Sequence, residues 1–220
     1  MTTLPPNVIA LSDRRSGDRA PVTEEWTDEY LARRFVDAAA GAIRYTPAWG
    51  KWHRFDGAYW REDETMTTRA AVRLFLAAEA ERAREGGAGQ RLVDHILSAG
   101  RIAAIEVLAR CDQRAATAVA AWNADPWLLA TPGGTVDLRT GELRPGRPED
   151  LISRCTTVVP APPGTPCPTW ISHLAWLCTD KDGAEIPGLK DFLQRALGYS
   201  ITGRIIEEVL FYFIWLWWQR

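Results

Sequence analysis

The 220-residue sequence lacks the cysteine and histidine patterns that build metal centres or disulfide frameworks. Cys111, Cys155, Cys167 and Cys178 form no C-x-x-C pair, and the three histidines are scattered along the chain. Zinc sites and disulfide-rich secreted domains both need regular spacing of these residues. We therefore predict no metal site, and we expect free thiols and a cytoplasmic location.

The sequence has no excess of positive charge. Lys and Arg number 26 against 28 Asp and Glu, so the formal net charge is −2. Proteins that coat nucleic acids carry a strong cationic field over the whole molecule. The net charge excludes a protein that coats nucleic acid. It does not exclude a local basic face on the surface.

No apolar run is long enough to form a transmembrane helix. The run at 209–218 has ten residues, whereas a spanning helix needs roughly 20. Residues 1–25 are rich in Pro, Arg, Asp and Ser and lack the apolar stretch of a signal peptide. We expect a disordered leader over 1–25 and no membrane partner.

The usual catalytic patterns are missing as well. No G-x-x-x-x-G-K-[ST] loop is present, although 86–89 reads Gly-Gly-Ala-Gly. That stretch lacks a following Lys and a preceding strand, which favours a flexible interhelical loop. His53, His95 and His173 have no partner at ligand or triad spacing, which favours surface or half-buried positions. We predict no catalytic and no cofactor-binding residue.

Apolar residues recur at helical spacing in several parts of the chain. Thr27 is the expected N-cap of the first helix, with Asp28 and Glu29 in its first turn. Gly100 is expected to weaken the middle of the third helix. The predicted helical stretches are 27–45, 65–85, 90–111, 168–180 and 187–199.

Two segments have residue patterns typical of β-structure. Asp56-Gly57 between aromatic flanks predicts a hairpin near residues 51–62 with a two-residue turn. A small β-rich segment is predicted near 127–160, with a tight turn after Arg139 and a strand candidate at 151–159. Helices and strands do not alternate regularly, so we predict a mostly helical α+β domain.

Six residues are candidates for contact with nucleic acid. The hairpin aromatics Trp52 and Tyr59 could stack on nucleobases, but cross-strand packing is favoured. Cations suited to phosphate contact lie in the β-rich segment, but interleaved acidic residues favour a balanced, solvated surface. The four cations are Arg139, Arg144, Arg147 and Arg154.

The segments "NADPWLLATPGGTVDLRTGELRPGRPEDLISRCTTVVP" and "LKDFLQRALGYSITGR" resemble one family. They are similar to the accessory domain that precedes the superfamily 3 helicase motor in phage, plasmid and poxvirus-type primase–helicases. The similarity covers roughly 28–210 and is most specific over Trp127–Leu138 and Leu193–Thr202. The hairpin "FDGAYWRED" is also similar to the start of that domain.

The resemblance implies a part in the DNA replication of a mobile element. In intact relatives such a domain is expected to help assemble a hexamer or to guide DNA, so DNA and a homo-oligomer are the expected partners. ATP and Mg²⁺ belong to the helicase ATPase motor in those relatives. Since this chain has no phosphate loop, we expect it to be inactive as an ATPase alone. The alternative is a stand-alone DNA-binding or regulatory module.

The apolar tail at 209–220 departs from the family pattern. Each Trp codon, TGG, becomes a Gly codon when read one base later, so the shifted tail begins a glycine-rich phosphate loop. We expect 26–208 to be the accessory domain and 209–220 to be an aberrant, frameshifted tail, which makes the chain a truncated relative. The alternative is a genuine apolar strand or dimer contact.

Overall fold

The computed structural model describes residues 26–180, 182–206, 208 and 211. The predicted leader at 1–25 and nearly all of the apolar tail lie outside the described residues. Over these ranges the elements, in chain order, are α1 (Asp28–Ala38), β1 (Ile43–Thr46), β2 (Lys51–Phe55), β3 (Trp60–Glu62), α2 (Thr67–Glu85), α3 (Gln90–Ile96), α4 (Ala99–Arg110), β4 (Leu128–Thr131), β5 (Gly134–Asp137), β6 (Glu142–Arg144), α5 (Pro168–Leu177) and α6 (Leu189–Ser200). Helices with two small antiparallel sheets confirm the predicted α+β class.

The first four helices build the main hydrophobic core. The predicted N-cap is confirmed, because the Thr27 hydroxyl accepts the N–H of Tyr30 at 3.2 Å. Helix α1 packs on α4, and α2 packs on both α3 and α4. Full burial of each large apolar side chain contributes about 1.5–3 kcal/mol to folding. The fully buried side chains of this core include Leu31, Val72, Leu76, Val93, Ile96 and Ile105.

The predicted helix over 90–111 is two helices in the structure. Helix α3 ends at Ile96, and α4 begins after Ser98, whose hydroxyl accepts the N–H of Arg101 at 3.3 Å. Serine satisfies a free helical N–H in this way, so it starts a new helix here. Gly100 therefore lies in the first turn of α4 and not in the middle of a long helix.

The predicted first helix ends seven residues early. Ala40 and Gly41 both have positive φ, at 46° and 78°, which terminates α1. The chain then forms β1, which pairs with β2 in the register Ile43 with Arg54 and Tyr45 with Trp52. Tertiary pairing thus overrides the helical spacing of this stretch.

Strands β1, β2 and β3 form the first sheet, in that order. The predicted hairpin is confirmed, since β2 pairs antiparallel with β3. Its loop holds four residues instead of two, because Phe55 pairs with Trp60. The Asp56 carboxylate accepts the backbone N–H groups of Ala58 and Tyr59 at 2.9 and 3.0 Å, which stabilises the wider loop.

The two faces of the first sheet lie in different surroundings. Ile43 and Trp52 join the helical core, where the Trp52 indole N–H donates to Glu106 at 3.3 Å. Thr46, His53 and Trp60 are also buried, but on the opposite face. Alternation along each strand produces this division.

Strands β4, β5 and β6 form the second antiparallel sheet. The predicted strand at 151–159 is wrong, because only an isolated bridge joins Cys155 to Ala130. Its backbone serves several partners: the Ile152 carbonyl accepts the N–H of Trp60, and the Ser153 N–H donates to the Asn123 side chain. A segment whose hydrogen bonds go to separate elements does not form a regular ladder.

Close backbone contacts join the later segments to the rest. Gly146 lies against Ala58 at the hairpin tip, with no room for a side chain. The N–H of Gly203, beyond α6, donates to the Pro126 carbonyl at 2.9 Å. This bond brings together the two stretches that carry the family resemblance most specifically.

In the part of the chain that the structure describes, no helix combines the length and apolarity needed to cross a bilayer.

Candidate nucleic-acid interface

Two of the four candidate arginines are engaged in ion pairs within the second sheet. Arg139 donates to both oxygens of Asp125, at 3.3 and 2.9 Å, and its guanidinium lies 5.6 Å from the centre of the Trp127 ring. Arg144 binds Asp150 through two parallel hydrogen bonds of 2.8 and 2.9 Å. Paired in this way, both side chains hold loops together.

The other two arginines lie free at the surface. Arg147 and Arg154 are exposed, and neither forms an ion pair with any other residue in the described ranges. Arg154 lies at the mouth of a cleft beside the first sheet. It is therefore the candidate arginine best placed to meet a phosphate.

The two candidate aromatics occupy different environments. Trp52 is 7% exposed and its ring packs 5.1 Å from that of Tyr45, so it fills the core and presents no open stacking face. Tyr59 is half-buried on the hairpin loop, where the Arg61 guanidinium lies 5.2 Å from its ring centre. The placement of Trp52 agrees with the packing explanation.

A different set of aromatics lines the cleft, which we call the aromatic cleft. It has a volume of about 500 Å³ and opens between the first sheet and the segment after Ile152. Its lining includes Trp49, Lys51, His53, Trp60, Glu62 and Arg154. These residues come from β2, β3 and two loops, and the sheet fixes their relative positions.

Strand alternation and one tight turn explain this lining. Lys51, His53 and Phe55 alternate along one face of β2. Glu62 lies opposite His53 and Trp60 lies opposite Phe55, so both are on that same face. Trp49 lies in the turn between β1 and β2, where its N–H donates to the Thr46 carbonyl at 3.1 Å. The turn sets its indole at the mouth.

Trp122 is the centre of the aromatic group behind the cleft. Its ring lies 4.7 Å from His53, 5.7 Å from Trp60 and 6.4 Å from Trp49. Trp49 and Trp122 are nearly parallel, at 21°, and Trp49 is 43% exposed. An exposed indole thus rests on a rigid aromatic support, as in platforms that stack nucleobases.

His53 is an unsatisfied polar group on the floor of the aromatic cleft. It is only 4% exposed, and its Nδ1 has no hydrogen-bond partner among the described residues. Burial lowers the pKa of His53, and Lys51 acts in the same direction while Glu62 opposes it. The imidazole is therefore neutral at pH 7, with one donor and one acceptor nitrogen.

The mouth of the aromatic cleft carries a small positive charge. Lys51 and Glu62 form an ion pair of 2.5 Å, in which both side chains stay partly exposed. Arg154 adds a cation that this pair leaves unopposed. A phosphate group would therefore meet Arg154 first, whereas the neutral Lys51–Glu62 pair offers no second site for an anion.

No metal centre accompanies this cleft. Within the ranges that the structure describes, no three His, Cys, Asp or Glu side chains are grouped so that they could hold an ion. The cleft therefore offers aromatic faces, one imidazole and one free cation. Such a set suits binding of a planar anionic ligand.

Comparison with known families identifies the class of this domain. The family model described as D5 N terminal like matches residues 30–178, which is more than half of the chain. The chain therefore belongs to the D5 N terminal like family, a class of primase–helicase N-terminal domains, which confirms the resemblance inferred from the sequence. No curated protein matches the chain. The aromatic cleft lies wholly inside the matched residues.

Sequence reasoning named Arg154 as a candidate but missed most of the other residues of the aromatic cleft. Lys51 with His53, and Trp60 with Glu62, alternate on either side of the hairpin loop, so their shared face was available as a signal. Trp49 was assigned to no element, and Trp122 lies 60 or more positions beyond the hairpin. No local pattern connects Trp122 with the sheet.

Proposed function

We propose that this chain guides single-stranded DNA as the accessory domain of a DNA-replication primase–helicase. Family membership supports the replication context. The observation that carries the DNA-guiding role is the exposed Trp49, which rests on Trp122 beside the unpaired cation Arg154. Aromatic faces combined with backbone-tracking cations are the usual means of binding single strands without sequence preference.

The expected interaction is local. The net charge of −2 provides no long-range attraction for DNA, so binding depends on a few contacts. Stacking of a base on an aromatic side chain contributes about 1–3 kcal/mol. Such a domain holds a strand loosely, which suits guiding a strand that must move through a helicase.

Titration of labelled oligothymidylate with the purified protein, followed by fluorescence anisotropy, tests the proposal. At about 50 mM salt we expect saturable binding that weakens as salt rises, because phosphate contacts release counterions. A double-stranded oligonucleotide of the same length is the control and should bind less tightly. A flat titration at low salt would contradict DNA guiding.

The same proposal assigns no ATP hydrolysis to this chain. The 220 residues contain no G-x-x-x-x-G-K-[ST] loop, the device that wraps backbone N–H groups around phosphates. ATP and Mg²⁺ would serve the motor of intact relatives. Calorimetric titration with Mg-ATP should show no binding in the micromolar range, and a micromolar affinity would refute this assignment.

A second candidate function is subunit assembly through α5 and α6. Helix α5 buries none of its residues, and Trp170 and Ile171 on it are about half exposed, as is Phe192 on α6. Large exposed apolar patches on soluble proteins mark interaction sites, and these exposed side chains are the candidates for one here. The occupant we favour is a second copy of the chain, as in the hexamers implied by the family.

Light scattering after gel filtration tests this assembly. We expect a concentration-dependent oligomer for the wild type that Ile171→Glu dissociates. Leu74→Glu on α2 is the control, because Leu74 is also exposed but lies far from α5 in the sequence. A monomeric wild type at all concentrations, or equal effects of the two variants, would argue against assembly through these helices.

A further inference from the structure

We infer that the aromatic cleft captures a single unpaired nucleotide, with the base stacked on Trp49 above His53 and the phosphate on Arg154. This inference rests on the proposed DNA-guiding function and specifies its contact site. The ligand is one nucleotide of a flexible single strand. Three features of the cleft support this assignment: its shape, the imidazole on its floor and the charge at its mouth.

The shape of the cleft fits a flat ligand. Its volume of about 500 Å³ lies within the range of roughly 300–1,000 Å³ that is typical of small-molecule sites. One wall is the indole of Trp49, held nearly parallel to Trp122 behind it. A base that stacks on Trp49 would extend this pair to three layers.

The imidazole of His53 supplies the polar contact that such a base needs. Its Nδ1 is buried with no partner among the described residues, and leaving a buried polar atom unpaired is costly. An unpaired nucleobase presents donors and acceptors along its edge. Because His53 lines the cleft, an edge inserted toward the floor would meet a polar ring there, whereas a purely apolar ligand would gain no polar contact from it.

The charge at the mouth limits the ligand to one phosphate. Arg154 is the free cation, because Lys51 is paired with Glu62. A guanidinium binds a phosphate through two parallel hydrogen bonds. The Lys51–Glu62 pair is neutral overall, so it offers no cation for a second phosphate at the same opening. Bases inside a duplex are stacked and paired, so they cannot reach the floor without leaving the helix.

The decisive experiment compares oligothymidylate with an abasic strand of the same length, which keeps the phosphates and lacks the bases. By anisotropy, we expect the wild type to bind oligothymidylate roughly 5- to 100-fold tighter than the abasic strand. Trp49→Ala should lose this preference and bind both strands alike. Equal binding of the two strands by the wild type would overturn the inference.

Matched variants separate stacking from general effects on the surface. Trp49→Phe keeps an aromatic face and should retain most of the preference for bases. Leu143→Ala removes an apolar side chain of equal exposure outside the cleft, 43% for both residues, and should leave the preference unchanged. If Leu143→Ala and Trp49→Ala have equal effects, the cleft is not the site.

Salt dependence tests the phosphate contact independently. Arg154→Ala should reduce the slope of log K against log salt by about 0.7, the value for one phosphate on a single strand. An unchanged slope would remove Arg154 from the site. If the wild type binds no strand at all, the DNA-guiding proposal itself fails. If it binds but Trp49→Ala changes nothing, only the cleft is wrong.

Discussion

The indole N–H of Trp122 donates to the hydroxyl of Thr46 across 2.9 Å, although the two residues are 76 positions apart. Both side chains are buried, at 6% and 0% exposure. The bond joins the loop before the second sheet to the first sheet. It also fixes the plane of the ring on which Trp49 and His53 rest.

Replacement Trp122→Phe should therefore destabilise the domain. The change removes the indole N–H and leaves the buried Thr46 hydroxyl without its hydrogen-bond donor. We expect a loss of about 1–3 kcal/mol in the free energy of unfolding. Urea denaturation measures the loss. The control is Leu74→Ala at a side chain that is 74% exposed, for which we expect a change of less than about 0.5 kcal/mol. Equal midpoints for wild type and Trp122→Phe would show that the bond contributes nothing.

Gly146→Ala should separate the hairpin tip from the second sheet. A methyl group at Gly146 would lie 2.5 Å from the carbonyl oxygen of Ala58 and 2.8 Å from its Cα, both backbone atoms. We expect a loss of about 1–3 kcal/mol in unfolding free energy, as for other overpacked sites. Gly198→Ala, in an open position inside α6, should instead stabilise by about 0.5–1 kcal/mol. In chemical denaturation, we expect the unfolding free energy to fall for Gly146→Ala and to rise for Gly198→Ala.

Asp63 should make stability depend on pH below 4. Its burial raises the pKa, but hydrogen bonds from Thr67 and Thr68 at the start of α2 outweigh this effect and hold the pKa at about 2. The ionised carboxylate stabilises the fold fully above its ordinary pKa of about 3.9, and this contribution is lost as pH falls through 2.

The substitution Asp63→Asn isolates that contribution, because the amide keeps an acceptor and cannot titrate. The stability difference between wild type and variant should be constant above pH 5 and should shrink between about pH 4 and pH 2. At neutral pH, Asp63→Ala should cost about 1 kcal/mol, as for other helix caps. Parallel stability curves over the acid range would show that another group is responsible.

Arg144 and Arg154 should give opposite results when each is replaced by alanine. Arg144→Ala breaks the two bonds to Asp150, whose carboxylate is 13% exposed, so we expect a loss of about 1–3 kcal/mol in stability. Its DNA salt slope should stay that of the wild type. Arg154→Ala should leave the stability within about 0.5 kcal/mol. A lower salt slope for Arg144→Ala would show that its ion pair opens for phosphate.

Local chemistry made much of the fold predictable. Thr27 predicts a helix start and the Asp56-Gly57 turn predicts a hairpin, because each depends on short-range hydrogen bonds. Both features lie where the sequence indicates. Ser98 shows the limit of spacing arguments, because apolar periodicity continues across the break that its hydroxyl creates. The segment Ile43–Thr46 shows a second limit of spacing arguments. Its apolar spacing is helical, and only its pairing with β2 makes it a strand.

The shared face of the hairpin could be predicted, but the elements that complete the aromatic cleft could not. His53 was expected at or near the surface, because nothing in its neighbourhood reveals that Trp122 covers it. Trp52 and His53 are adjacent, yet one belongs to the core and the other to the cleft. Sequence shows that strand positions alternate, but the covering elements of each face come from distant parts of the chain.

That alternation in β2 ties two properties of the molecule together. Trp52 anchors the strand to the helical core on one side, while His53 forms the cleft floor on the other. A ligand on the floor binds the folded strand and not the unfolded chain, so it raises the melting temperature by mass action. Thermal denaturation therefore reports occupancy of the cleft without a labelled partner.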